Sequence, residues 1–228
     1  MSAQRHYCGQ LNPSVVLVTF PADLLTTSSQ ALLINSANLM GYGSEPHTHR
    51  GFGRIHLEMG MPLGGEGRLA LFVMDDASLP ELDSQEYFFD IDADAGLDFR
   101  ATLSWIDPPA TSSAVHQLVH DLDLEVVSPN GTTHIMWASS GEVDTSNVNE
   151  RVIIAGANVE SGMWTVRVST KSLLTDYQRY SLVVNGAIVF SSSEPFYSNL
   201  YSVAPTSSPS GASDGSSPRA LGLSLIHI

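Results

Sequence analysis

A chain of 228 residues with 43% apolar content is long enough for one large domain, or for one domain and part of another, and it can build a core. Its 24 acidic and 10 basic residues leave a formal net charge of -14, which argues against a nucleic-acid partner, since that would need a basic face, and suits binding of divalent cations. Cys8 is the single cysteine, so an internal disulfide and a cysteine-based zinc site are excluded, and no apolar run approaches the ~18 to 20 residues that span a membrane.

The first ten residues are polar, and the short apolar run 15–20 is followed by Pro21 and Asp23, so no signal-peptide pattern is present. A helix is expected over 28–40. Thr26, Thr27 and Ser28 offer N-caps, Ala31, Leu32, Leu33, Ile34, Ala37 and Met40 form its apolar surface, and Gly41 suits its C-cap. Four consecutive apolar positions imply cover on several sides, as for the last helix of a larger domain. A glycine-rich connector follows, through Gly41-Tyr42-Gly43, Gly51-Phe52-Gly53 and the stretch 60–67.

From residue 68 the pattern changes to strands, expected near 68–74, 86–91, 97–106, 122–128, 132–137, 151–155, 163–169 and 180–190, each bounded by turn residues. Eight strands with almost no helix between them predict a mainly β fold, a jelly roll or β-sandwich. Phe99, Ala101, Leu103 and Trp105 alternate with Arg100, Thr102 and Ser104, and Trp164, Val166 and Val168 alternate with Thr165, Arg167 and Ser169. This period of two assigns Trp105 and Trp164 to the core, whereas Trp137 lies near a strand end. From residue 191 the composition falls to Ser, Pro, Gly and Ala, which predicts a disordered tail over 191–228, with an unpatterned apolar scrap at 221–228.

The segment from His120 to Thr132 carries the most information. Leu122, Leu124 and Val126 alternate with Asp121, Asp123 and Glu125 as in a half-buried strand, and Pro129-Asn130-Gly131 supplies a tight reversal. Asp121 and Asp123 project to one side, where they repel each other unless water screens them or a cation lies between them. Asp144, Asn147 and Glu150 follow on a loop, all hard oxygen donors of the kind calcium takes in irregular geometry. The residues alone leave a calcium site and an ordinary acidic loop both open.

Other motifs carry less. Gly211-Ala212-Ser213-Asp214-Gly215 matches the nucleophile-elbow pattern but lies in the low-complexity tail, away from the strand-to-helix turn that exposes such a serine. His47, His49 and His56 fall in a glycine-rich loop, and His116 and His120 have helical metal-ligand spacing in a non-helical approach to a strand. No phosphate loop or dinucleotide fingerprint is present between a strand and a helix. Asn130-Gly131-Thr132 fits an N-glycosylation acceptor and fits an unmodified hairpin equally well.

Taken in order, several segments resemble the subtilisin-like serine peptidases. Residues 31–37 (Ala-Leu-Leu-Ile-Asn-Ser-Ala) and 51–57 (Gly-Phe-Gly-Arg-Ile-His-Leu) resemble the closing helix and glycine turn of the catalytic domain. Residues 101–109, 118–124, 128–132, 147–152 and 161–166 are similar to the C-terminal jelly roll that some members carry. The resemblance covers about 31–187 and implies three parts. Residues 1–67 would be a remnant of the α/β catalytic domain, 68–190 the jelly-roll domain and 191–228 the tail. The parent would be an extracellular or secretory endopeptidase acting on protein substrates through a catalytic domain, away from nucleic acid and membrane. The family's Gly-Thr-Ser-Met-Ala type serine motif does not occur in this chain, and Ser14, Ser28, Ser29 and Ser36 lack its context, so no catalytic residue is assigned and the chain is expected to be inactive alone. The resemblance also implies calcium at Asp121, Asp123, Asp144, Asn147 and Glu150. The other reading is a freestanding, non-catalytic β-sandwich that binds protein or glycan.

Overall fold

The computed structural model describes residues 27–38, 46–47, 49–62, 69–136, 144–189 and 200–202. Helix α1 (Thr27–Ser36) leads into β1 (Ala37–Asn38), which pairs with β2 (Arg54–Ile55) as a two-stranded ribbon, and a single-turn helix α2 (Leu57–Gly60) follows. The remaining strands are β3 (Ala70–Pro80), β4 (Ser84–Ile91), β5 (Phe99–Trp105), β6 (Asp121–Val127), β7 (Thr133–Ile135), β8 (Asn149–Ile154), β9 (Gly162–Ser172), β10 (Tyr177–Gly186) and β11 (Leu200–Ser202). They form two antiparallel sheets, one ordered β11-β3-β10-β5-β8 and the other β4-β9-β6-β7. From β3 to β10 the chain passes repeatedly between the sheets, so the fold is a β-sandwich, as its strand pattern predicts.

Each of the eight expected strands has its counterpart, with changed ends. The first extends to Pro80, past Asp75 and Asp76, because its pairing with β10 shifts register there and Asp76 takes a positive φ of 57° that lets the strand bend and continue. Within the segment expected to be a disordered tail, Leu200–Ser202 form β11 and pair with β3. Trp137, Gly41, the glycine stretch at 63–67, the Gly-x-Ser-x-Gly match at 211–215 and the apolar end at 221–228 lie outside the described residues.

Parity explains the core. Trp105, Trp164, Phe89, Phe99, Leu103, Leu122, Leu124 and Val126 all point between the sheets and are buried. Phe72 meets Phe89 edge-on with ring centroids 5.2 Å apart, and Phe99 lies 5.2 Å from Trp164. The opposite face of the five-stranded sheet is covered as well. Arg100, Thr102 and Ser104 on β5 and Ser181, Val183 and Asn185 on β10 are buried, and α1 packs on this face. A second, smaller apolar cluster forms here from Ala31, Leu32, Met61, Leu71 and Val183.

The helix ends at Ser36, short of the expected 40, because Ala37 and Asn38 turn into the ladder with β2. Its buried positions, 28, 31, 32, 35 and 36, form one stripe in place of cover on several sides, and Leu33 is 40% exposed. Two arginines on adjacent strands hold its C-terminal end. Arg100 donates to the carbonyls of Asn35 (3.1 Å) and Ala37 (3.4 Å), and Arg151 donates to those of Ile34 (2.5 Å), Ala37 (2.8 Å) and Phe52 (3.0 Å). Carbonyls at a helix C-terminus lack intrahelical partners and carry the negative end of the dipole, so buried cations satisfy both needs. Thr102 adds a hydrogen bond to the Asn35 carboxamide oxygen at 3.0 Å.

Candidate functional site

The acidic site is built where β6 enters its sheet. Asp107 sets that entry: its carboxylate accepts from the backbone N–H groups of Val119 (2.8 Å) and His120 (2.7 Å), while the Trp105 indole donates to the His120 carbonyl at 3.1 Å. Strand β7 pairs only with Glu125, Val126 and Val127, so the first half of β6 is left without a β7 partner on that edge. Glu150 fills the gap. It sits on β8 in the other sheet, opposite Leu103 on β5, and its Oε2 accepts from the Leu124 N–H at 2.6 Å. One carboxylate thus bridges the two sheets.

The segment 144–149 leads into β8 and brings the other donors. Asp144 is buried, accepting from the Ser146 N–H at 2.9 Å through Oδ1 and from the Asn147 Nδ2 at 2.6 Å through Oδ2. Asp123 is buried and pairs with Lys171 on β9 at 3.0 Å. Asp121 lies across a bulge in the β6–β9 ladder, and its Oδ1 is buried with no hydrogen-bond partner among the described residues. The structure therefore brings the four carboxylates of Asp121, Asp123, Asp144 and Glu150 into one neighbourhood, with Asn147 tied to Asp144.

The electrostatics follow from that crowding. Burial, then Asp123, pushes the Asp121 carboxyl up to about 6; Lys171 opposes the rise and Asp144 adds to it. Burial also lifts Glu150 well above the usual carboxylate range; the Leu124 N–H opposes this, and Asp123, Asp144 and Asp121 add to it. Lys171 is raised by its hydrogen bond and charge pairing with Asp123. The cluster holds more negative charge than its one lysine offsets. Among the described residues no three His, Cys, Asp or Glu side chains converge as a ready ligand set. Asp123, Glu150 and Asp144 are each turned toward a different local partner instead: Lys171, the Leu124 N–H and the turn at 146–147.

Asp121, Asp123, Asp144, Asn147 and Glu150 offer only oxygen ligands, apart from the Asn147 amide nitrogen, and the unpartnered Asp121 oxygen leaves one acceptor unanswered. That donor chemistry fits a hard divalent cation such as calcium, which would supply charge neutralisation and a link between the sheets. Among the described residues the histidines do not assemble. His116 is exposed, while His120 is buried with Nδ1 against the Gln178 side-chain oxygen; His47 and His49 lie with ring centroids 6.0 Å apart. Ser36 bonds back to the Leu33 carbonyl within its own helix at 2.9 Å. Lys171 and Asp107 take part without having been singled out from the sequence. Strand parity contained a signal for Lys171, which shares a face with Arg167 and Ser169, but nothing local marks Asp107.

No protein-family model matches the chain, and a search of curated proteins finds no match. Among solved structures it is similar to the Bacillus licheniformis lipase BlEst2 in its propeptide form, at 12% identity over 59% of this chain and 28% of that one, with a TM-score of 0.32. It is also similar to infectious bursal disease virus Gx strain, at 10% identity over 54% of this chain and 33% of that one, with a TM-score of 0.29. The chain spans a third or less of the length of each. Likenesses this loose carry no weight for either fold or chemistry.

Proposed function

We propose that this chain is the C-terminal part of a subtilisin-like serine endopeptidase: a catalytic-domain helix joined to a β-sandwich that stabilises the protease and binds calcium at Asp121, Asp123, Asp144, Asn147 and Glu150. The observation that carries this reading is α1 held on the outer face of the sheet by Arg100 and Arg151. Two buried arginines on the sandwich aimed at the end of the preceding helix fix the two rigidly, as a junction with a preceding α/β domain requires. The resemblance of residues 31–37 to the closing catalytic helix supports the same assignment. Proteolysis itself belongs to the parent protein, and the role of this part is support.

The test is the coding sequence upstream. A Gly-Thr-Ser-Met-Ala type motif in frame shortly before residue 28 is expected, and the joined protein should hydrolyse peptide bonds and lose activity to a serine-directed sulfonyl fluoride. An in-frame stop with no such motif would sink the protease reading and leave a freestanding β-sandwich module.

A further inference from the structure

The geometry points to Asn130 as the acceptor of a single N-linked glycan. Asn130-Gly131-Thr132 is the one Asn-x-Ser/Thr triplet in the chain whose middle residue is not proline. It forms the crown of the β6–β7 hairpin, where residues 129–133 are all exposed. The turn holds the side-chain amide in a fixed pose. Its Oδ1 accepts from the Thr132 backbone N–H at 2.8 Å and from the Ser128 hydroxyl at 2.7 Å, and Gly131 takes a φ of +87° with open space where a side chain would be. Both bonds are made by the oxygen, and neither uses the amide nitrogen.

There Nδ2 meets the exposed carboxylate of Glu160 at 2.5 Å. A sugar at this nitrogen displaces nothing from the core, because the Trp164 indole is held by the Glu160 backbone carbonyl at 2.8 Å and not by its side chain. In the transfer, Nδ2 bonds to the anomeric carbon of an oligosaccharide carried on a polyprenyl diphosphate. The anomeric carbon–oxygen bond breaks, the diphosphate leaves with its electron pair, and the amide gives up one proton to a carboxylate of the transferase. The acceptor lies at the far end of β6 from Asp121, roughly 20 Å along the strand, so glycan and acidic cluster do not compete. The inference rests on the secretory setting of the proposed parent protein.

Expression of residues 1–228 behind a cleavable heterologous signal peptide in insect cells supplies that compartment directly. The expected product carries one discrete mobility step, removed by peptide N-glycosidase with conversion of residue 130 to aspartate. Thr132→Ser keeps the step, whereas Asn130→Gln and Thr132→Ala lose it. The step is read in cell lysate as well as medium, so a variant that is retained in the cell is still scored. An unmodified Asn130 in protein that has lost its signal peptide, or a step that persists in Asn130→Gln, would overturn the inference. Neither outcome depends on whether a catalytic domain lies upstream.

Discussion

Asp121 carries a charge in a place that disfavours it. Its carboxyl rises from an ordinary 3.8 to about 6 through burial and Asp123, so between those values the folded protein holds a proton that the unfolded chain has released. Stability then increases as pH falls from 6 toward 4 and declines as pH rises through the same window. In a chelator, the melting temperature contributed by this group is expected to be higher near pH 5 than near pH 7.5. Asp121→Asn should shrink that difference and stabilise the chelated protein at neutral pH by on the order of 1 kcal/mol, discounted for the solvent that reaches this half-buried group. Saturating calcium should abolish the preference for low pH, since a bound cation favours the ionised carboxylate. A melting profile in chelator that is the same in wild type and Asp121→Asn across this window would refute the assignment of strain to this residue.

At the scale of elements, two arginines on neighbouring parts of the fold should behave oppositely. Arg167 on β9 lies between Glu86 (2.6 Å) and Glu125 (3.0 Å) on the open face of its sheet, with its side chain 39% exposed. Arg167→Ala should cost no more than about 1 kcal/mol, as for exposed ion pairs. Arg151 is buried, and its removal takes away the donor to the carbonyls of Ile34 and Phe52 and one of two arginine donors to that of Ala37. Arg151→Met should cost about 2–4 kcal/mol in urea unfolding and expose α1 to protease. Equal losses for the two variants would show that the helix is not clamped as described. The sequence made the strands legible because alternating apolar residues and turn-formers mark both their faces and their ends. It did not reveal this clamp: period-two alternation says that Arg100, Thr102 and Ser104 share a face, but not that a helix lies across it. The acidic site was readable to the same depth. Asp121 and Asp123 follow from parity on one strand, whereas their meeting with Asp144 and Glu150 depends on β8 crossing to the other sheet, which no local pattern encodes.

For the whole molecule, the acidic cluster decides how firmly the two sheets are joined at one end. Asp121 and Asp123 belong to one sheet, Glu150 to the other, and Asp144 to the segment between them, so their mutual repulsion acts to pry the sandwich open. A calcium ion among them would convert that repulsion into a cross-link absent from the unfolded chain. At a free concentration of a hundred times Kd, binding to the folded state alone adds about 2.7 kcal/mol. For a chain of this size that corresponds to a rise on the order of 5–10 °C in melting temperature. Chelation should lower Tm by that amount and added calcium restore it, while magnesium, which demands a tighter octahedral shell, should restore much less. Glu150→Gln tests the same point without disturbing the strand edge, because its amide oxygen can still accept from the Leu124 N–H. That variant should fold, melt at or above the chelated wild type, and gain little from calcium. If wild type stays folded in chelator with an unchanged Tm, the cluster is a set of acids held without a cation and the calcium assignment fails.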